Sequence, residues 1–229
     1  MRKMVPGAEV GVEVYDQQTD TVLTSLDPTE QFPTMSVVKL LIAIDVLHQN
    51  NWVLPDQDEQ QEITRMLSYS DDAIASELWE QQGGGALVTR DAALMGLKNT
   101  VPPTSDPGEW GDTRTTAQDL VTVYQYVADG MPTADHDLIY TAMFHAAQTA
   151  ADGTDQYFGI PDGLPGTTWA IKQGWGSSGP KDVVNTTGLV GSDSRYVVIV
   201  LTTGSSSDHK MESAITSATA QLASLVPKS

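Results

Sequence analysis

Three short stretches of this 229-residue chain place nucleophilic, basic and acidic side chains at spacings that permit catalysis. The first is Ser36 and Lys39, an S-x-x-K pair. Residues three apart share a face of a helix, so the hydroxyl and the amine can meet. The segment from Ser36 to His48 is apolar on nearly every side, the pattern of a helix in the middle of a domain. It puts the Ser36 hydroxyl at the positive end of that helix and carries Lys39 into an apolar setting. Desolvation favours a neutral amine, which can take a proton from a serine. The same spacing recurs at Ser178–Lys181 and Ser207–Lys210, but among turn residues with no apolar helix behind them. Taken alone, the pair also fits a serine cap followed by a snorkelling lysine.

The second stretch is Ser68-Tyr69-Ser70-Asp71-Asp72-Ala73, ahead of another apolar run. By itself it is an ordinary helix start, with acids in the first turn. The third is Trp169-Ala170-Ile171-Lys172-Gln173-Gly174-Trp175. A lysine at the end of a strand, followed by glycine, suits a binding edge where a substrate approaches the backbone closely. Alone it equally fits a solvated lysine before a turn.

The elements that must position these groups follow from periodicity. Residues 8–15 alternate apolar and polar like a half-buried strand, and 21–26 form its hairpin partner across the turn at 16–20. Helices are predicted over 36–48, over 58–82 in two runs, Glu59 through Leu67 and Asp71 to Gln81, up to Gly83-Gly84-Gly85, and over 86–95. Residues 99–113 are rich in Pro, Gly, Asp and Thr and read as a long loop. Thr115 or Thr116 caps a helix running to about Ala128, with Gln118 or Asp119 as capping-box partner, and another helix spans 134–150. Strands return at 167–172, 183–190 and 195–203, and an amphipathic helix runs from Asp208 to Leu225. Strands open and close the chain while helices fill its middle. The fold class is therefore α+β: an antiparallel sheet with helices packed on it and an inserted helical lobe.

Composition narrows the partners. Thirty acidic against 12 basic side chains give a net charge of -18, which repels phosphate, so nucleic acids and anionic membrane surfaces are excluded as partners. With no cysteine there is no disulfide, thiolate zinc site or cysteine nucleophile. His48, His136, His145 and His209 lack paired metal-ligand spacing, so no metal or other cofactor is expected. The longest apolar run, Leu40 to Leu47, is interrupted by Asp45 and is too short to span a bilayer. The N-terminus has no apolar signal core. Gly174-x-Gly176-x-x-Gly179 matches a dinucleotide fingerprint by letter, but Pro180 and a strand follow it instead of a helix. No G-x-S-x-G elbow occurs.

Order makes the three stretches informative together. S-x-x-K, then S-D-x, then K-x-G is the ordered motif set of class A β-lactamases and penicillin-binding proteins. Gln31 to Leu40 resembles the segment around that family's nucleophile, and Ser70 to Leu78 its second motif and the following helix. Gly111 to Leu120 resembles the end of its Ω-loop, and Lys172-Gln173-Gly174 its third motif. The resemblance runs from about residue 8 to the end and identifies a divergent bacterial member of the β-lactamase/serine D,D-peptidase superfamily.

The resemblance implies one β-lactamase-like domain over 1–229, with an α/β lobe at 1–34 and 155–229 and a helical lobe at 35–154. It implies that Ser36 attacks a carbonyl, that Lys39 takes its proton and that Ser70 relays a proton to the leaving nitrogen. Tyr69, one residue earlier, is the alternative relay; Ser70 aligns the following helix better. Lys172 supplies positive potential for a substrate carboxylate and helps keep Lys39 neutral, since like charges lower an amine's pKa. Asp72, Lys172, Gln173 and Gly174 contact substrate, and the backbone N–H groups of Ser36 and Trp175 form the oxyanion hole. The implied substrate is a β-lactam or a peptidoglycan-type peptide. The implied setting is a monomer exported to the periplasm or beyond, its leader absent from this chain.

Four departures bear on the activity. Asp72 stands where the family has Asn, and a carboxylate cannot donate to a substrate amide carbonyl. Gln173 replaces a Thr or Ser hydroxyl. The Ser36-to-Ser70 spacing is short, and the first family helix is missing. Glu109 is the only glutamate between Glu80 and Glu212 and the one candidate for activating the deacylating water. It lies closer to Thr115 than the family pattern has it, so deacylation is expected to be slow.

Overall fold

The computed structural model describes residues 1–104, 106 and 108–227. Of the stretches read above, the 99–113 loop includes Ser105 and Pro107, and the C-terminal lobe includes Lys228 and Ser229. These four lie outside the described residues.

The chain opens with β1 (Glu9–Asp16) and β2 (Thr21–Leu26), then the two-residue β3 (Phe32–Pro33). A 3₁₀ turn at Met35–Val38 leads into α1 (Lys39–Gln49). Next come α2 (Gln57–Ser68), α3 (Asp72–Gln81) and α4 (Gly85–Met95). The short β4 (Arg114–Thr115) precedes α5 (Ala117–Gln125), a π-helical turn at Tyr126–Gly130 and α6 (Thr133–Phe144). The one-turn α7 (Ile160–Gly163) leads to β5 (Trp169–Ser178), β6 (Lys181–Val190), β7 (Tyr196–Gly204) and α8 (Asp208–Thr219).

The sheet is antiparallel throughout, in the order β2-β1-β7-β6-β5. N-terminal and C-terminal strands thus share one sheet, as the two-ended strand pattern predicts. Helices cover both faces: α5 and α6 pack on one, α7 and α8 on the other. This is why β1 is buried along most of its length rather than half-buried. Val10 packs with Met211 and Ile215 of α8, while Tyr15 joins the larger core formed with α1, α2 and α5. α1 runs through that larger core with Lys39 to Leu47 all buried, matching its all-round apolar sequence.

Several boundaries differ from the sequence pattern. The two helical runs read within 58–82 are α2 and α3, separated where Ser70 takes a left-handed φ of +54° and Asp71 caps α3 by accepting from the Ala73 and Ile74 N–H groups. The helix predicted over 134–150 stops at Phe144, and α8 ends at Thr219 in a 3₁₀ turn. Thr116 is the cap of α5, but Asp119 does not close a capping box. Its carboxylate instead accepts from the N–H groups of Lys98 and Asn99 and from the Thr100 hydroxyl.

Candidate active site

The Ser36 turn is built from outside inward. β3 pairs with β4, and the Thr34 N–H donates to Thr113 O at 2.8 Å, so the 110–113 segment lies beside Met35. From the sheet, the buried Asn185 side chain on β6 donates to the carbonyls of Pro33 and Thr34 at 2.9 and 3.2 Å and accepts from the Thr202 N–H. Met35 is held at a φ of +47°, a conformation of the kind that persists where the surroundings over-determine it. Ser36 follows in the 3₁₀ turn, 5% exposed, and α1 begins only at Lys39. The tighter turn still puts the two side chains together: Lys39 Nζ donates to Ser36 Oγ at 2.9 Å.

Lys39 is fully buried. Its amine also donates to the Ser70 carbonyl at 2.7 Å, to Ser70 Oγ at 3.2 Å and to Asp72 Oδ1 at 2.5 Å. Lys172, buried on the edge strand β5, donates to Ser70 Oγ at 2.9 Å and to the Gln173 carbonyl at 3.1 Å. A continuous polar chain therefore runs Ser36–Lys39–Ser70–Lys172, joining three motifs far apart in sequence. Tyr69, the alternative relay, is 44% exposed and its ring sits under Arg65, whereas Ser70 is buried between the two lysines.

Burial pushes the Lys39 amine below its ordinary value, and the Asp72 carboxylate partly opposes that. Burial pushes Lys172 further down, and the positive charge of Lys39 adds to it.

Two residues stand differently from the sequence reading. Gln173 does not face a substrate. Its amide N–H₂ donates to the carbonyls of Gln156 and Phe158 at 3.0 and 2.7 Å, and the side chain is 1% exposed. Alternation along β5 turns it to the opposite side from Lys172, where the 156–158 segment receives it. At Gly174 the space a Cβ would fill lies 2.5 Å from the Thr34 carbonyl, so glycine is needed there for the close approach of β5 to the nucleophile turn rather than for substrate access. β5 also continues to Ser178, so the Lys-Gln-Gly triplet sits within the edge strand and not at its end.

A cavity of about 340 Å³ opens beside Ser36, lined in part by Asp72, Glu109, Trp110, Asp152 and Trp175. Glu109 is thus in the wall of the site, exposed, at the start of the short turn preceding β4. The Lys39 amine lies 4.8 Å from the Trp110 ring centre, and Trp110 Nε1 donates to Ser76 Oγ. Trp175 Nε1 donates to Asp152 Oδ2 at 3.0 Å. Trp110, Asp152 and Asn185 were not singled out by spacing. Asn185 carried a signal, a lone amide among the β-branched residues of β6. Asp152, in an Asp-Gly turn, carried none.

Ser36 bonded to a buried lysine, Ser70 bridging two lysines, and an edge strand alongside make up the candidate site. The chain belongs to the β-lactamase enzyme family, whose sequence profile matches residues 58–226. It is 34% identical over 218 residues to the "Putative lipoprotein LppW" of Mycobacterium tuberculosis and Mycobacterium bovis, covering 93% of this chain and 68% of the mycobacterial one. The fold is shared with a β-lactamase from Chitinophaga pinensis, at a TM-score of 0.75 and 16% identity over 93% of this chain and 92% of that one. It is shared equally with PBP-A, at a TM-score of 0.75 and 19% identity over 96% and 90%. A PBP-A variant in acyl-enzyme complex with penicillin G superposes at 0.74 with 20% identity, over the same 96% and 90%.

Proposed function

We propose that this protein is a serine hydrolase acylated at Ser36 by β-lactams or by D-Ala-D-Ala-like peptides and amides, and that it deacylates slowly. The observation that carries the reading is the unbroken chain from Ser36 Oγ through Lys39 Nζ and Ser70 Oγ to Lys172 Nζ. Lys39, when neutral, takes the Ser36 proton as Oγ bonds to the substrate carbonyl carbon. The proton reaches the leaving nitrogen through Ser70 as the C–N bond breaks, and the backbone N–H groups of Ser36 and Trp175 receive the oxyanion. Slow release follows from Glu109. Its side chain makes no hydrogen bond or ion pair among the described residues, so nothing orients it toward a water. Export to the cell envelope fits the same reading, since the mycobacterial relative is named a lipoprotein.

A second reading is favoured by one contact. The 2.5 Å contact of Asp72 favours the charged form of Lys39 beside Ser36, against the effect of burial, which suits a cleft that binds a ligand without turning it over. Intact-mass measurement after a short penicillin pulse separates the two. Acyl-transfer predicts a stoichiometric adduct on the wild type that decays slowly and is absent in Ser36→Ala. A wild type that takes up no adduct sinks the reading, and rapid return to the free mass sinks the slow-release part of it.

A further inference from the structure

The ionisable side chains that line the cavity beside Ser36 are all acidic. Asp72, Glu109 and Asp152 line its cavity, and among the described residues lining that cavity none is Lys or Arg. The nearest amines are spoken for: Lys39 by Ser36, Ser70 and Asp72, Lys172 by Ser70 and the Gln173 carbonyl. Arg65, on the adjoining cavity, is paired with Asp71 at 2.8 Å and stacked over Tyr69. Asp72 keeps 61% of its side chain exposed while one oxygen rests on Lys39.

Asp152 is fixed rather than floppy. One oxygen accepts from Trp175 Nε1 at 3.0 Å and the other from the Thr154 N–H at 2.9 Å. Burial raises its carboxyl, but the hydrogen bonds from Thr154 and Trp175 together with the charge of Lys39 leave the group below its ordinary value. Trp175 and Trp110 form aromatic walls of the same cavity, and both already lie within cation–π range of a lysine amine. The net charge of -18 adds a field of the same sign.

We infer that the Ser36 cleft selects acyl donors bearing an ammonium or guanidinium group, seated against Asp152 and the Trp175 ring, over donors whose side chain is anionic. The inference rests on the acyl-transfer reading and names its substrate class. An ammonium group in this cavity meets fixed carboxylates and π-faces, whereas a carboxylate meets three of its own kind and no free donor cation. The Gln173 amide donors are spent on the 156–158 backbone.

The test uses three matched penicillins whose phenylacetyl side chain carries at its α-carbon an amine, a hydrogen or a carboxylate. Second-order acylation rates of Ser36 are read by intact mass at low salt. The expected order is amine, then hydrogen, then carboxylate, with roughly tenfold or more between the ends. In 1 M salt, where the screening length falls to about 3 Å, the spread shrinks. Asp152→Asn retains an acceptor for Trp175 but loses the charge, and should cut the amine-to-carboxylate ratio about threefold or more; Glu109→Gln should cut it in the same direction. Equal rates, a reversed order, or a ratio untouched by Asp152→Asn overturns the selectivity while leaving acylation standing. Should none of the three acylate Ser36, the acyl-transfer reading falls instead. Calorimetric affinities of the same compounds for the Ser36→Ala protein then decide the selectivity by the same ordering.

Discussion

Replacing Asp72 by asparagine should make Ser36 react faster, and the structure gives the reason and the size. Lys39 must be neutral to take the Ser36 proton. Burial lowers its pKa, and the negative charge of Asp72 works against that. The contact is 2.5 Å, but Asp72 is largely exposed, so the pair is discounted to the dielectric of water. Coulomb's law then gives about 1.7 kcal/mol at that separation, or roughly one pKa unit. Removing the charge lowers the Lys39 pKa further, so the limb on which acylation rises with pH moves to lower pH by about one unit. On that limb the neutral fraction changes tenfold per unit, so Asp72→Asn should acylate about tenfold faster at a fixed pH. Asparagine also regains a donor for the substrate amide carbonyl, which would lift the plateau without moving the limb. Asp72→Ala separates the two effects, since it removes the charge and adds no donor. The assay is stopped-flow acylation by a fluorescent penicillin from about pH 5 to pH 10, with Ser36→Ala as blank. A limb that stays in place, or moves to higher pH, in both variants would refute the assignment of Lys39 as the base restrained by Asp72.

Two further outcomes follow from the buried amides. Gln173→Ala leaves the Gln156 and Phe158 carbonyls without their donor, which should cost about 2–6 kcal/mol in urea unfolding at roughly 1–3 kcal/mol per orphaned group, with little change in m; a loss below about 0.5 kcal/mol would mean the side chain is not structural. Asn185→Ala unties Pro33 and Thr34 from the sheet and should slow Ser36 acylation more than roughly tenfold in folded protein, since small misplacements of a nucleophile are costly. Unchanged acylation alongside lowered stability would remove Asn185 from the positioning of the nucleophile.

Much of the architecture is legible in local pattern. The hairpin at 8–26, the all-round apolar run after Ser36, and the β-branched segments at 183–190 and 195–203 lie close to where periodicity predicts them. The family is legible in the order of three motifs, and the family profile match bears it out. Boundaries are less legible. The apolar pattern carries the helix at 134 on to 150, whereas α6 stops at Phe144.

Residue types and short-range spacing determine which side chains a segment presents together, because helix and strand periods are local properties of the backbone. On that basis the sequence allows Ser36 and Lys39 to meet, while it is the strand β5 seen in the structure that turns Gln173 away from Lys172. Which face holds the reactants is decided only when distant segments arrive. Ser70 reaches Lys172 across 102 residues, the 156–158 backbone claims Gln173, and Asp152 comes from an unremarkable turn to stand beside Trp175. Those contacts depend on how the sheet and its helices pack, and no local period encodes them. The negative sign of the Ser36 cavity is likewise a tertiary result, made from three carboxylates on three separate segments and from two lysines whose amines are turned inward.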